Sequence, residues 1–234
     1  MSALVEIKDV CKVYNPGENE VRALDHVSLT IDEQEFVAII GHSGSGKSTL
    51  MNMLGCLDVP TSGSYYLNGQ DVSRMTDDEL SDIRNVEIGF IFQGFNLIAN
   101  LTAIENVELP LIYRGVPKAK RRELSVAALK KVGLAHRMNH KPGQMSGGQQ
   151  QRVAIARAIA AEPPVILADE PTGNLDSAST KEIIAILEQL HDSGRTVVII
   201  THDDEIAEQA ARRVRIKDGR VVLDTKYEEE KQHA

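Results

Sequence analysis

Residues 35–50 read EFVAIIGHSGSGKSTL, and this stretch decides the fold class. The run EFVAII predicts a buried strand that stops at a glycine, and STLMNML after the loop has the apolar density of a buried helix. Between them, GHSGSGKS at 41–48 fits the pattern GxxxxGKS in the strand, loop and helix context that the pattern requires. A glycine-rich turn could contain Lys and Ser by chance, but the flanking elements favour a phosphate-binding loop.

The chemistry of this loop explains its composition. Glycines at 41, 44 and 46 allow backbone conformations and close approaches that a Cβ would prevent, so that successive N–H groups can face a polyphosphate. Lys47 adds a positive charge for the β and γ phosphates, and Ser48 offers a hydroxyl to Mg²⁺. We therefore predict nucleotide contacts from the whole loop, namely Gly41, His42, Ser43, Gly44, Ser45, Gly46, Lys47, Ser48 and Thr49.

The composition argues against several classes of protein. The 234 residues include 26 Lys and Arg against 34 Asp and Glu, and the resulting net charge of -8 opposes non-specific attraction to nucleic acid. No apolar run approaches the roughly 20 residues that a membrane-spanning helix needs, and the N-terminus shows no secretory signal. Cys11 and Cys56 form no CxxC pair, so we interpret them as free thiols in a reducing compartment. We expect a cytoplasmic protein without a nucleic-acid partner.

Alternation of apolar and polar residues predicts strands in the first and last thirds of the chain, whereas the middle third is predicted to be helical. Capping boxes at Thr76 with Glu79 and at Thr102 with Glu105 mark two helix starts. The segment IGFIF at 88–92 is a strand-like exception within the helical region. We predict one α/β domain with a core of residues 1–84 and 161–224, an inserted helical lobe of about 85–160, and a polar tail at 225–234.

Two pairs of residues predict turns, the first after a short strand and the second within a hairpin. Asn68 and Gly69 interrupt SGSYYLNGQDV, and Asp218 and Gly219 interrupt VRIKDGRVVL.

The segment VILADE at 165–170 places two carboxylates at the end of an apolar strand. Adjacent acids at a strand end can be ordinary solvated turn residues, but together with the phosphate loop they favour a Walker-B motif. In that interpretation Asp169 reaches magnesium through water, and Glu170 orients or deprotonates the water that attacks the phosphate.

A second glycine-rich helix start lies at MSGGQQQR, residues 145–152, directly before the helical run VAIARAIAA. The first amides of such a helix form a ready anion site. This segment has no lysine of its own, and taken alone it could be an ordinary helix cap.

The order of these motifs carries a resemblance to a family. SGGQ between a GxxxxGKS loop and a VILADE strand resembles the signature of ABC-type ATPases, and the resemblance covers nearly the whole chain. It implies a P-loop NTPase core of ABC type with an N-terminal antiparallel β subdomain and an inserted α-helical subdomain. It also implies that Ser146, Gly147, Gly148 and Gln149 bind the γ-phosphate held by a second copy, so that a homodimer encloses two ATP molecules. Met145 stands where leucine is commoner, a change of similar volume that we expect to be tolerated.

Four further positions match the family, although each alone would be typical of packing or of a turn. The resemblance implies that Tyr14 stacks on adenine and that Gln93 senses magnesium and water. Asp176, in the NLD run at 174–176, matches the D-loop beside the partner copy, and His202 matches the switch histidine that contacts the γ-phosphate. The resemblance thus implies an ATPase that uses Glu170, His202, Gln93 and Lys47 in catalysis, and Ser48, Gln93 and Asp169 around Mg²⁺.

The flanking segments narrow the resemblance within the family. GCLDVPTSG, IFQGFNLI, VELPLIYRGV and LADEPTGNLD are similar to the MacB, LolD and FtsE group. This implies an exporter-like or mechanotransmitting system with a separate permease of MacB or FtsX type, docked near NLIANLT at 96–102, and a peripheral location on the inner face of the cell membrane. The side chains of Phe95, Leu97 and Ile98 could instead pack inside the lobe.

Other functions remain open at this point. An ABC importer ATPase shares the core motifs, and a soluble ABC ATPase acting on DNA or ribosomes would usually carry paired cassettes, coiled-coil insertions or basic arms, which this sequence lacks. A nucleotide-binding regulator without turnover would be expected to have lost the acid, but Glu170 is intact.

Overall fold

The computed structural model describes residues 3–17 and 19–226, which form two compact units. The first unit comprises the described residues up to Arg84 together with those from Thr196 onward, and the second is Asn85–Arg195. The second unit begins where the helical lobe was predicted to begin, and it also includes the strand and helix that follow residue 160. The narrower lobe boundary at 160 stays a prediction.

Ten strands and seven α-helices are found in the described part of the chain. The strands are β1 (Ala3–Tyr14), β2 (Val21–Asp32), β3 (Phe36–Ile40), β4 (Ser62–Leu67), β5 (Gln70–Asp71), β6 (Ile88–Phe92), β7 (Val165–Asp169), β8 (Thr196–Thr201), β9 (Arg212–Lys217) and β10 (Arg220–Asp224). The helices are α1 (Lys47–Leu54), α2 (Asp77–Glu87), α3 (Ala103–Tyr113), α4 (Lys118–Lys131), α5 (Gly147–Ile159), α6 (Ser177–Asp192) and α7 (Asp204–Ala207). Short 3-10 turns lie at Ala135–Arg137 and Pro142–Gln144.

The first unit contains an antiparallel sheet of strand order β2-β1-β4-β5. Strand β2 buries alternate side chains from Val27 to Ile31, as expected for a sheet with one face on the core, whereas β1 buries neighbouring pairs and its pairing with β2 contains register shifts. Asn68 and Gly69 make the turn between β4 and β5 with φ values of 50° and 75°, as the sequence predicted. This sheet is the predicted N-terminal antiparallel β subdomain.

The other sheet strands of the first unit lie in the order β10-β9-β3-β8. All five residues of β3 are buried, and β3 pairs in parallel with both β8 and β9, which explains its continuous apolar sequence. The β9–β10 hairpin turns at Asp218 and Gly219, with φ values of 49° and 73°. In the register of β3 and β8, Ile40 lies opposite Thr201, so the segments after these two strands start side by side.

The second unit consists of the parallel pair β6 and β7 with helices α3 to α6. Helix α5 packs against α3, α4, α6 and β6, and this packing buries its residues from Val153 to Ala156 completely. Phe92 lies opposite Asp169 in the β6–β7 register, so Gln93 and Glu170 leave neighbouring strand ends. The strand predicted at 88–92 is confirmed to the residue.

The two predicted capping boxes are both formed. At the start of α2, a carboxylate oxygen of Glu79 accepts from the Thr76 amide at 2.8 Å, and Thr102 and Glu105 form the same box before α3. Cys11 and Cys56 are both buried and form no disulfide with each other. Within residues 3–17 and 19–226, no helix is both long and apolar enough to span a bilayer.

The predicted polar tail begins in an ordered region. The Arg213 amide donates to the Thr225 hydroxyl at 3.0 Å, and Lys226 Nζ donates to Asp32 and Glu35 at 2.7 Å each. The remainder of the tail, 227–234, lies outside the described residues.

Candidate active site

The conformation of the loop at 41–48 depends on two glycines. Gly44 and Gly46 have φ values of 77° and 105°, in the left-handed region that residues with a Cβ rarely adopt. A Cβ at Gly46 would also lie 2.5 Å from the backbone oxygen of Ala23. The loop can therefore pack against the backbone of Ala23 only because residue 46 has no side chain.

Helix α1 starts from this loop with its first amides available. Gly46 is its N-cap and supplies no side-chain hydrogen bond, and the first intrahelical bond runs from the Leu50 amide to the Gly46 oxygen at 2.9 Å. The preceding amides, from Lys47 to Thr49, have no carbonyl one turn earlier within the helix. These amides lie at the positive end of the helix dipole, an arrangement that suits the binding of a phosphate.

The ammonium group of Lys47 folds back over the loop. Its Nζ donates to the backbone oxygen of Gly41 at 2.5 Å and to that of His42 at 2.8 Å. These contacts hold the positive charge beside the loop amides, where a polyphosphate would need it.

Tyr14, at the end of β1, is held by an acid that the sequence analysis did not single out. Its hydroxyl donates to Asp58 Oδ2 at 2.9 Å and also bonds Thr49, while Lys12 Nζ contacts the same carboxylate and lies 5.1 Å from the Tyr14 ring centroid. Burial and then the Asp58 contact raise the pKa of Tyr14. Burial also raises the pKa of Asp58, but hydrogen bonds from Lys12 and Tyr14 outweigh it and lower that pKa overall. Asp58 directly follows Leu57 in the GCLDVPTSG segment, but no spacing rule marks it as a partner of Tyr14.

His202 directly follows β8 and is exposed. The next residue fixes the turn: the Asp203 amide donates to the Thr201 hydroxyl at 3.0 Å, and the Asp203 carboxylate caps α7. Since Ile40 and Thr201 are paired, His202 leaves the sheet beside the start of the phosphate loop, as its predicted role requires.

Gln93, Asp169 and Glu170 lie at the carboxyl ends of β6 and β7. The backbone of Glu170 has a φ of 44°, and a left-handed non-glycine residue at such a point is often functional. Gln93 is exposed, and its Nε2 lies so close to Gly173 that a Cβ there would be 2.5 Å from it. Asn174 Nδ2 donates to the Gln93 backbone oxygen at 3.1 Å, which links the segments after the two strands.

The signature segment starts α5 as a capping box. The Ser146 hydroxyl accepts from the Gln149 amide at 3.3 Å, and Gln149 Oε1 accepts from the Ser146 amide at 3.1 Å. A Cβ at Gly148 would lie 2.5 Å from Ser179 Oγ, whereas at Gly147 it would find only contacts of 3.6 Å or more. The second glycine is thus required by packing, and the first is not.

Asp176 is the N-cap of α6. Its carboxylate accepts from the Ser179 amide at 2.9 Å and from the Ser179 hydroxyl at 3.0 Å, and these two bonds lower the pKa of Asp176. The exposed carboxylate therefore has a structural partner within its own helix, in addition to its predicted place beside the partner copy.

The predicted site residues fall into two sets. Tyr14, the phosphate loop and His202 belong to the first unit, and Gln93, Asp169, Glu170, the signature segment and Asp176 belong to the second. Within each unit, strand pairing brings a predicted pair together: Gly41 with His202, and Gln93 with Glu170.

One other group has metal-type ligands. Among the described residues, only Cys11, Asp25 and His26 form a trio whose donor atoms lie within 4.8 Å of one another. Asp25 is already bound by Arg220 and Arg22, which hold its pKa below the usual range. Two guanidinium charges beside the carboxylate oppose a further cation, so this trio is not interpreted as a metal site.

A family model described as ABC transporter matches residues 24–173, a range that includes the phosphate loop, the signature segment and the VILADE strand. The chain belongs to the ABC transporter family. The fold class, the resemblance to ABC-type ATPases and the assignment as an ATP-binding cassette are thereby confirmed.

Relatives of this ABC cassette include both short and long proteins. An ABC transporter ATP-binding protein of Thermotoga maritima is 52% identical over 94% of this chain and 94% of its own length. A macrolide export ATP-binding/permease protein MacB of Hyphomonas neptunium is 55% identical over 95% of this chain, which corresponds to 34% of that protein. The chain spans about a third of the length of such MacB relatives.

Solved structures agree with this assignment. The ATP-binding cassette MJ0796, in a dimeric post-hydrolysis state bound to ADP and Pi, has a TM-score of 0.86 at 49% identity, with coverage of 94% of this chain and 97% of that one. Another dimeric structure of MJ0796 gives the same values. The fold is therefore that of an ABC cassette, and MacB proteins are among its relatives.

Proposed function

We propose that this cassette binds Mg-ATP, hydrolyses it to ADP and phosphate in a pair of copies, and thereby drives a permease of MacB type. The observation that carries the proposal is the phosphate loop, where left-handed Gly44 and Gly46 lead into the uncapped amides of α1 beside Lys47. This combination of donors and charge suits a nucleotide polyphosphate.

The proposed roles in the first unit concern binding. The amides at 41–49 and the Lys47 ammonium hold the phosphates, Tyr14 stacks on the adenine, and His202 contacts the γ-phosphate. The hydroxyl bonds that fix Tyr14 to Asp58 and Thr49 support this by keeping the ring in one orientation before a nucleotide arrives.

The proposed roles in the second unit concern water and metal. Glu170 accepts a proton from the attacking water as the water oxygen bonds to the γ-phosphorus and the bond to ADP breaks, and Gln93 helps to orient that water. Ser48, Gln93 and Asp169 would hold magnesium, since hydroxyl, amide and carboxylate oxygens are the ligands that it prefers. The ion would neutralise phosphate charge.

We further propose that the signature acts on the nucleotide of a second copy, with Asp176 beside the partner. Support comes from the dimeric cassettes of MJ0796 and from the exposure of Ser146. A mixing experiment tests this. Ser146→Glu and Lys47→Ala are each expected to be inactive, and together they should recover hydrolysis because one composite site keeps both a working loop and a working signature. No recovery under conditions that allow heterodimers would contradict action in trans.

The permease partner is proposed as a separate chain of MacB type at the inner face of the cell membrane. The MacB relatives at about half identity support the type, and the short Thermotoga relative supports a separate chain. In the predicted docking segment Ile98 is 48% exposed and Leu97 is half-buried, as is Phe95 just before the segment. Ile98 is therefore the side chain that we propose for contact with a permease helix.

Co-purification from membranes tests the partner. Ile98→Asp should reduce recovery of the permease while ATP binding is kept, and Val222→Asp, on β10 and 54% exposed, is the matched control. Equal recovery in both variants would show that the docking surface is elsewhere. Recovery of an import permease with a solute-binding protein would contradict the MacB type, and recovery of nucleic acid or ribosomes would favour a soluble ABC ATPase.

The hydrolytic mechanism is tested by Glu170→Gln. This variant should bind Mg-ATP and form the ATP-dependent dimer, but should hydrolyse at least about a hundredfold more slowly, because the proton acceptor is lost while the phosphate loop is intact. Phosphate release by the purified variant at near the parent rate would remove Glu170 from this role.

A further inference from the structure

Gln151 lies in the second turn of α5, and its side chain is completely buried. Its Nε2 donates to two backbone oxygens, that of Pro171 at 2.6 Å and that of Phe92 at 3.3 Å. An amide nitrogen has two hydrogens to give, and here each carbonyl receives one. The side chain therefore ties the ends of two different strands to one helix.

The two carbonyls lie next to the proposed catalytic residues. Phe92 directly precedes Gln93, and Pro171 directly follows Glu170. One buried amide thus fixes the backbone on which both the water-orienting and the water-activating side chains are mounted. The oxygen of the same amide, Oε1, has no hydrogen-bond partner among the described residues. Gln151 therefore holds the two segments only through its amide nitrogen.

Helix α5 holds the segment after Gln93 at a second point. Arg157 donates to the backbone oxygens of Phe95 at 3.0 Å and Asn96 at 2.5 Å. Phe95 and Asn96 have φ values of 59° and 50°, a strained conformation that persists only where surrounding contacts impose it. The helix that begins at the signature therefore fixes the Gln93 segment on both sides.

We propose that Gln151 is a positioning residue for ATP hydrolysis, which sets the places of Gln93 and Glu170 relative to the signature helix. The inference rests on the roles proposed above for these two residues. A packing residue at this site would be served as well by an apolar side chain, but only a donor can hold both carbonyls. Without it, the strand ends lose their common anchor, and a displacement of about 1 Å at a reacting group can cost about a hundredfold in rate.

The test compares neighbouring glutamines. Gln151→Leu removes the donor, whereas Gln150→Leu is the matched control, because Gln150 Nε2 donates only to the Met145 oxygen at 3.1 Å. Steady-state hydrolysis, equilibrium nucleotide affinity and the thermal midpoint are measured for each. We expect kcat of Gln151→Leu to fall at least about tenfold, with nucleotide affinity within about twofold of the parent, since the bonds that are lost go to Phe92 and Pro171 and the residues of the phosphate loop are unchanged. The control should keep the parent kcat.

A second variant covers the case in which Gln151→Leu folds poorly. Gln151→Asn keeps an amide but is one methylene shorter, so it cannot span both carbonyls, and we expect the same loss of kcat with retained affinity. A folded variant at position 151 that turns over within about threefold of Gln150→Leu would overturn the proposal, because a misplacement of the size invoked costs more than that.

Glu170→Gln, measured in the same assay, distinguishes a failure of the proposed role of Glu170 from a failure of the proposed positioning role of Gln151. If Glu170→Gln hydrolyses at the parent rate, the proposed role of Glu170 is wrong, and the positioning role falls with it. If Glu170→Gln is slow while both Gln151 variants are normal, only the positioning role is wrong.

Discussion

Alanine at Gly147 and alanine at Gly148 should have opposite effects on stability, although the two glycines are adjacent in the signature. A methyl at Gly148 would lie 2.5 Å from Ser179 Oγ and 2.9 Å from Ser179 Cβ. The hydroxyl could rotate away, but the Cβ is fixed to the α6 backbone, so the two helices would have to separate. At Gly147 the nearest atoms would be 3.6 Å away, in ordinary contact.

The magnitudes follow from these distances. Overpacking of this kind costs about 1–3 kcal/mol, while Gly→Ala at a compatible backbone conformation returns about 0.4–1 kcal/mol through the unfolded chain. Gly148→Ala should therefore lose about 1–2 kcal/mol net, and Gly147→Ala should gain up to about 1 kcal/mol. For a domain of this size, each kcal/mol corresponds to about 2–4 °C in the melting midpoint, so a difference of about 1–3 kcal/mol between the two variants corresponds to roughly 2–12 °C.

Thermal melting and phosphate release, measured on the same preparations, check this prediction. Gly147→Ala should be at least as stable as the parent yet slow, because under the proposed function its methyl faces the nucleotide of the partner copy. Adding Ser179→Ala to Gly148→Ala removes the closest clashing atom and should recover part of the lost stability. A Gly148→Ala variant that melts at or above the parent would refute the packing argument, and a fully active Gly147→Ala would refute the role of the signature.

Three further changes are expected to have separable effects. Gly173→Ala should slow hydrolysis without lowering the melting midpoint, because its methyl would lie 2.5 Å from Gln93 Nε2, a flexible group that can move only by leaving its proposed position. Asp58→Asn should destabilise the protein near neutral pH and lose its effect in acid, as urea titrations at several pH values would show. Burial raises the pKa of Asp58 but the Lys12 contact helps to lower it overall, so its stabilisation is present above the unfolded pKa of about 3.9 and disappears as the pH falls through the folded value. Gly46→Ala should abolish nucleotide binding in equilibrium titrations, because alanine resists the φ of 105° and its methyl would meet a backbone oxygen at 2.5 Å.

The fold was largely predictable because its local signals agree with one another. The apolar run before Gly41 became a fully buried strand, and the pairs at Asn68 and Asp218 made the expected tight turns. Capping boxes marked the starts of α2 and α3 because they depend only on residues three apart. Strand order was beyond such reasoning, since it is set by contacts between segments far apart in the chain.

Sequence motifs predict the positions of the candidate site residues, but they do not predict the contacts that hold those residues in place. The hydrogen bonds from Tyr14 to Asp58 and from Gln151 to Pro171 join residues 44 and 20 positions apart, and no periodicity signals either one. Gln151 was visible only as the third glutamine after the signature glycines, next to one that merely bonds the Met145 oxygen. Sequence identifies the residue types that chemistry needs, whereas the anchors behind them depend on which backbone carbonyls the fold leaves nearby.

The signature illustrates how the folded chain restricts what a motif can offer. The hydroxyl of Ser146 already accepts from the Gln149 amide, and the Gln150 amide donates to the Ser146 oxygen at 2.9 Å. The first amides of a helix have no carbonyl partner within the helix. Here the capping box supplies partners for the amides of Ser146 and Gln149, and the amides of Gly147 and Gly148 are not part of that box. A γ-phosphate from a partner copy, as proposed above, would thus meet two glycine amides and the positive end of a 13-residue helix. Because Gln149 Oε1 accepts from the Ser146 amide, the side-chain NH2 is the group that Gln149 would offer to the phosphate. The glycines are then explained by different requirements, close approach of an anion at residue 147 and close approach of α6 at residue 148.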